Sequence, residues 1–193
     1  MPSTSYQRWR TVRIAALNEI EQAHAAVGGT GRGRRYATQQ INHAYAVLLA
    51  SHFQGYCRDL HSECVDHLIT VLAPPPALRV IVYNELTRGR QLDTRNAQPG
   101  SLGADFGRLE IVFWREVEDR DPGNAARKGV LELLNNWRNA IAHQDFDPNK
   151  LGGTATLQLA QVRRWRAACR HLARTFDAVM RRHLHALTGL SPW

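Results

Sequence analysis

The sequence predicts an all-α fold, a single-domain antiparallel helical bundle of about five to six helices. Three observations carry that expectation. Large apolar residues recur at the 3.6-residue helical period in long stretches, proline and glycine cluster at the boundaries between those stretches, and no segment alternates apolar with polar residues as a half-buried strand does. With 193 residues and 44% hydrophobic content the chain holds enough material for one core and too little for two, so residues 1–193 are read as one domain.

The first helix is expected from Ser3 to Val27, where Trp9, Leu17, Ile20 and Val27 share a face. The run "GGTGRGRR" at 28–35 interrupts it and reads as a basic Gly-rich linker. Its glycines are spaced like a phosphate-binding loop, but Arg34 and Arg35 stand where lysine and a hydroxyl residue are required, and no strand precedes it. A long stripe then runs from Ile41 through Tyr45, Leu48, His52, Tyr56, Leu60, Cys64 and Leu68 to Val71, stopped by Pro74 to Pro76. Helices are expected over Ala77–Leu92 and Leu102–Glu118, separated by the polar loop "DTRNAQPGS". "DPGN" at 121–124 supplies a turn with Asn124 as the cap of a helix over Ala125–His143. In the last helix Trp165, Cys169, Leu172, Phe176, Val179 and His183 form one seam, and residues 188–193 make a C-terminal tail.

The formal charge is +8, and all basic residues but Lys128 and Lys150 are arginine, a balance that suits a phosphate-bearing partner because the planar guanidinium matches phosphate oxygens. No apolar run is long enough to span a bilayer and the N-terminus has no signal-peptide core, so the expected location is the cytoplasm, without membrane partners. Three cysteines are an odd count for a disulfide framework and fit reduced thiols. Cys57, His61 and Cys64 share one helical face, yet one rigid helix rarely wraps a tetrahedral metal and no second cluster offers a fourth ligand, so no metal site is expected.

Two groups of residues carry candidate chemistry. On the last helix Arg163, Arg166, Arg170, Arg174 and Arg181 fall within about 80° of one another and form a basic ridge, of which Arg163, Arg166 and Arg170 are candidate RNA contacts. In "WRNAIAHQDFDP" at 137–148, Asn135, Arg138, Asn139 and His143 lie on an arc opposite Leu133, Trp137 and Ile141. Leu131 and Ala142 sit within that polar arc, where solvent is usually met by Glu or Lys. Their presence predicts close approach by a partner or ligand.

The segment "RNAIAH" at 138–143 resembles the R-x(4–6)-H signature of the HEPN superfamily of helical ribonucleases, most closely its RiboL-PSP-HEPN subgroup, and "AYAVLLASHFQGYCRDL" is similar to the family's apolar second helix. "RAACRH" at 166–171 has the same spacing but lacks the polar residue after arginine and lies mid-helix. The chain carries Asp145 where antitoxin-paired members have a modified tyrosine, and Gln54 where many have an acidic residue. The resemblance implies a HEPN-like bundle, a homodimer with a composite active site, an antitoxin or defence-system partner protein, and a toxin or antiviral role. Its catalytic residues here are Arg138, Asn139 and His143, with Asn135 as a further RNA contact.

The chemistry is consistent with that implication. RNA carries its own nucleophile in the 2′-hydroxyl, so cleavage needs a base, an acid and a holder of negative charge, without a cofactor. Histidine transfers protons near neutral pH and arginine clamps phosphate. The rival expectation is a catalytically silent helical adaptor, in which Arg138 is tied to a carboxylate such as Asp145.

Overall fold

The computed structural model describes residues 1–27 and 34–193, with side chains from Ala37 onward in the second segment. Every regular element among them is helical: α1 (Thr4–Arg8), a π-helical turn at Trp9–Arg13, α2 (Ile14–Val27), α3 (Arg34–Leu72), α4 (Pro76–Thr87), α5 (Gln91–Thr94), α6 (Pro99–Gly107), α7 (Phe113–Arg120), α8 (Gly123–His143), a 3-10 turn at Pro148–Lys150, and α9 (Leu159–Thr188). The all-α expectation therefore holds. Most of the linker expected at 28–35 lies outside the described residues, while the backbone of Arg34 and Arg35 already belongs to α3.

The helix count exceeds the expected five to six for identifiable reasons. The N-terminal helix is divided by its π turn. The stretch 77–92 splits because Gly89 takes φ 70°, a left-handed conformation natural to glycine, and 102–118 splits because Glu110 takes φ 59°. Asn124 is not the cap of α8. The Asp121 carboxylate accepts from the Gly123 N–H at 2.9 Å, and Asn124 lies inside the helix, fully buried, donating to the Val117 carbonyl.

The three long helices α3, α8 and α9 build the core. Tyr45, Phe53, Tyr56, Leu60 and Cys64 of α3 meet Trp165, Cys169, Leu172, Phe176 and Val179 of α9, and all are buried. Pairs of contacts fix their directions. Asn42 donates to the Leu157 carbonyl just ahead of α9, Tyr56 to that of Ala173, and His67 meets Thr188, so α3 and α9 run parallel. Trp137 packs on Trp165 while Asn124 reaches Thr175, so α8 is antiparallel to both. The antiparallel expectation is met by α2/α3 and α8/α9, which are neighbours in sequence, and not by α3/α9.

Single contacts lock the ends. Glu63 accepts from the Thr4 and Ser5 N–H groups at the start of α1, where a carboxylate also complements the helix dipole. Arg13 leaves the π turn to pair with Asp59 at 2.6 Å, crossing Gly55 so closely that a Cβ there would stand 2.7 Å from its guanidinium. The tail at 188–193 folds back, with Trp193 packed on the core. Cys57, Cys64 and Cys169 are buried free thiols, all shifted upward in pKa by burial. No helix among the described residues is long and apolar enough to cross a membrane.

Candidate active site at the end of α8

Helix α8 ends at His143 because Gln144 turns left-handed, φ 56°, and the Asp145 N–H closes back on the Ala140 carbonyl at 3.0 Å. The following loop is held down by Phe146, whose ring stacks on His43 of α3 at 5.4 Å, and by the Trp137 indole, which donates to the Leu151 carbonyl. The helix tip thus stands on a fixed base while His143 itself is exposed.

The polar arc of α8 proves narrower than the sequence suggests. Leu131 and Asn135 are each 1% exposed, because the segment 96–102 and α6 cover that part of the helix. The Asn135 amide donates to the Ala97 carbonyl at 3.1 Å and to that of Leu131 at 2.9 Å. Asn135 is a core tether, not an RNA contact. The close approach foretold by Leu131 is made by the chain itself, and only Ala142 of that pair remains exposed.

Arg138, Asn139 and His143 remain accessible, and Asn139 stands between two openings. On one side Asn139 and His143 border a cleft of about 420 Å³ with Asn136, Asp145, Asn149 and Lys150. On the other, Arg138 and Asn139 border a broader depression of about 680 Å³ with Gln91, Arg95, Asn96, Gln98 and Ser101. The division follows from helix geometry: residues five apart diverge by about 140° and rise by about 7.5 Å. The Asn139 side-chain oxygen accepts from Asn96 at 2.6 Å and from Arg138 at 3.3 Å, which fixes the amide and steers the guanidinium.

The electrostatics of the two openings differ. The Arg138 side carries two arginines and four amides with no carboxylate on its wall, and neither Arg95 nor Arg138 forms an ion pair among the described residues. The His143 side sets Asp145 against Lys150. An anion is therefore favoured on the Arg138 side, and the imidazole faces a mixed environment.

Arg95, Asn96 and Gln98 stand in the sequence only as part of a polar loop. Their placement is the work of many distant groups. Asp105 accepts from the Gln91 and Leu92 N–H groups at 2.8 Å each, Gln54 donates to the Leu92 carbonyl, Asn135 to that of Ala97, and the Trp114 indole to that of Pro99. A signal for them exists in "TRNAQ", a loop richer in arginine and amides than a turn requires.

The arginine ridge of α9 is partly taken up by neighbouring side chains. Arg163 and Arg166 both pair with Glu21 of α2, at 3.3 and 3.2 Å, and Arg166 also donates to the Tyr45 hydroxyl and to Asn18. Those pairs tie α9 to α2, with Arg166 largely buried and Arg163 still exposed. Arg170 and Arg174 stay exposed elsewhere, beside α1.

His61 of the Cys-His-Cys face is also fully committed. Arg90 can only donate, so Nδ1 of His61 must accept from it at 3.3 Å, leaving the Nε2–H to donate to the Asp105 carbonyl at 3.0 Å. Burial and the facing Arg90 hold its pKa down at about 4.

Fold and site together define a helical protein with an open Arg-Asn-His end on one helix. Set against known proteins, the chain matches no family model, no curated protein and no solved structure.

Proposed function

We propose that this protein is a HEPN-like endoribonuclease that cleaves RNA by 2′-hydroxyl transesterification, with Arg138, Asn139 and His143 as its catalytic residues. The observation that carries the reading is the state of Arg138. It lies on a surface depression with no carboxylate partner among the described residues, steered by the Asn139 amide, and on the other side of Asn139 an exposed imidazole stands at the helix end. An adaptor with a retired motif would instead have its arginine neutralised, as Arg90 is by Asp93.

In the proposed reaction one imidazole takes the 2′-O–H proton, the 2′-oxygen attacks phosphorus, and the 5′-oxygen leaves with a proton from a second imidazole. The products are a 2′,3′-cyclic phosphate and a 5′-hydroxyl. Arg138 holds the phosphate and stabilises the extra negative charge of the transition state. The nucleophile resides in the substrate, so the scheme calls for no cofactor.

Because one copy supplies one such histidine, a twofold homodimer that joins two α8 tips completes the site. Exposed Ala142 leaves room for that approach beside Arg138 and His143. A toxin or antiviral role with a neutralising partner protein belongs to the same proposal. The adaptor reading finds its support in α4, where Leu78, Val80 and Ile81 are exposed. Incubating the purified protein with mixed RNA in EDTA separates the two. Cleavage that disappears in Arg138→Ala and His143→Ala supports the nuclease; equal cutting by both variants, or none by the wild type, removes it.

A further inference from the structure

A second basic cleft, of about 320 Å³, lies between α1 and α9 and is walled by Tyr6, Arg10, Ala167, Arg170, His171 and Arg174. It is remote from the α8 tip: Tyr6 packs on Tyr56 of α3, while the loop after His143 rests on His43, a separation of about 20 Å along α3. Three guanidiniums meet here without a carboxylate on the wall, and none of the three forms an ion pair among the described residues. Asp121, an acid within electrostatic reach of His171, is paired with Arg127 at 2.6 Å. Arg13, Arg127, Arg163, Arg166 and Arg182 are matched with acids, whereas this cleft gathers three guanidiniums that, like Arg95 and Arg138, form no ion pair among the described residues.

Two further features give the cleft a ligand preference. Arg10 belongs to the π-helical turn, an uncommon element that often marks a functional place, and its guanidinium sits over the Tyr6 ring at 5.9 Å. Arg170 and Arg174 are one helical turn apart on α9, about 6 Å along its axis, so they reach successive anionic groups. A row of cations beside an aromatic face is the arrangement that holds single-stranded nucleic acid, with phosphates on the arginines and a base against the ring.

We propose that this cleft is a strand-holding site for single-stranded RNA, separate from the cutting site and gripping the same molecule at a distance. The inference rests on RNA as the ligand in the proposed function, and not on cleavage. The test is fluorescence anisotropy of a labelled 20-nucleotide strand carrying 2′-O-methyl groups, which cannot be cut, titrated over a range of salt concentrations. Arg170→Gln/Arg174→Gln is expected to weaken binding about tenfold and to make the salt dependence shallower by about 0.7 for each phosphate no longer neutralised. Arg10→Gln is expected to act in the same direction. Tyr6→Leu is expected to weaken binding about fivefold with the slope unchanged, since stacking releases no counterions.

Wild-type affinity and slope in the arginine variants overturn the proposal. So does a loss of binding to anionic vesicles with RNA binding intact. If His143→Ala cuts RNA like the wild type while the cleft variants lose the strand, the proposed reaction falls and this site stands.

Discussion

The arginine and histidine of the His61–Arg90 cluster and those at the tip of α8 are opposites. In the His61–Arg90 cluster every polar group is met: the guanidinium reaches Asp93, Ser62 and His61, and both imidazole nitrogens have partners. At the tip of α8 the guanidinium meets one amide and the imidazole faces a cleft. The residue types are the same, so chemistry cannot be read from type alone. What marks a candidate site is hydrogen-bonding capacity left unused in a place that solvent or a ligand can reach.

The sharpest break in the comparison is activity against stability. Arg138→Ala and His143→Ala are expected to lower RNA cleavage about 100- to 1,000-fold, while the stability measured by urea unfolding stays within about 0.5 kcal/mol of wild type. A large loss of stability in either would move the α8 tip into the same class as the buried cluster.

The converse variant is Asp105→Ala. It strips one buried and one part-buried backbone N–H group of their acceptor, at an expected cost of about 3 kcal/mol, seen as a thermal midpoint lower by about 6–12 °C. Cleavage should fall in parallel, since the same carboxylate anchors the loop that brings Arg95 and Asn96 to Arg138.

These expectations also show what the sequence could and could not disclose. The α3 and α9 stripes were legible because Tyr45, Tyr56, Cys64, Trp165, Cys169 and Phe176 obey a period set by one helix's own geometry, and all are buried. The break at Glu110 was not, because a left-handed glutamate leaves no compositional trace, whereas Gly89 in "TRGRQ" offered one that periodicity overrode. The fate of Arg163 and Arg166 depended on Glu21, more than 140 residues away, and that of Leu131 and Asn135 on a loop from 96 to 102. A helical wheel sees one helix; it is blind to what a distant segment lays across it. Arg138, Asn139 and His143 keep the accessibility that the wheel gives them, because the bond that reaches across to them from a distant segment, among the described residues, is the single one from Asn96.

A pH series sharpens the comparison further. His61 has its pKa depressed from an ordinary value of roughly 6.5 in the unfolded chain to about 4 when folded. Between those values the unfolded state binds the extra proton, so stability is full above about pH 6.5 and is lost as pH falls toward 4, by at most about 3 kcal/mol. Urea midpoints measured from pH 7 to 4.5 should therefore decline, and His61→Gln should flatten the decline.

The smallest expected effect belongs to Asn96→Ala. Removing its 2.6 Å bond to Asn139 should cost about 1 kcal/mol and reduce cleavage only a few-fold, through a looser Asn139. Rescue by Asn96→Gln, with the KM raised more than kcat is lowered, would identify a positioning residue; a loss as deep as that of His143→Ala would place it among the reacting groups.

The three thiols are sealed in the interior with their ionisation suppressed, so the wild-type chain should be inert toward maleimides while folded. A cysteine introduced at Ala142 would then take a spin label alone, with no background to subtract. Pulsed electron-spin resonance on that labelled protein would read one distance per pair of molecules, a ruler laid across the proposed twofold axis.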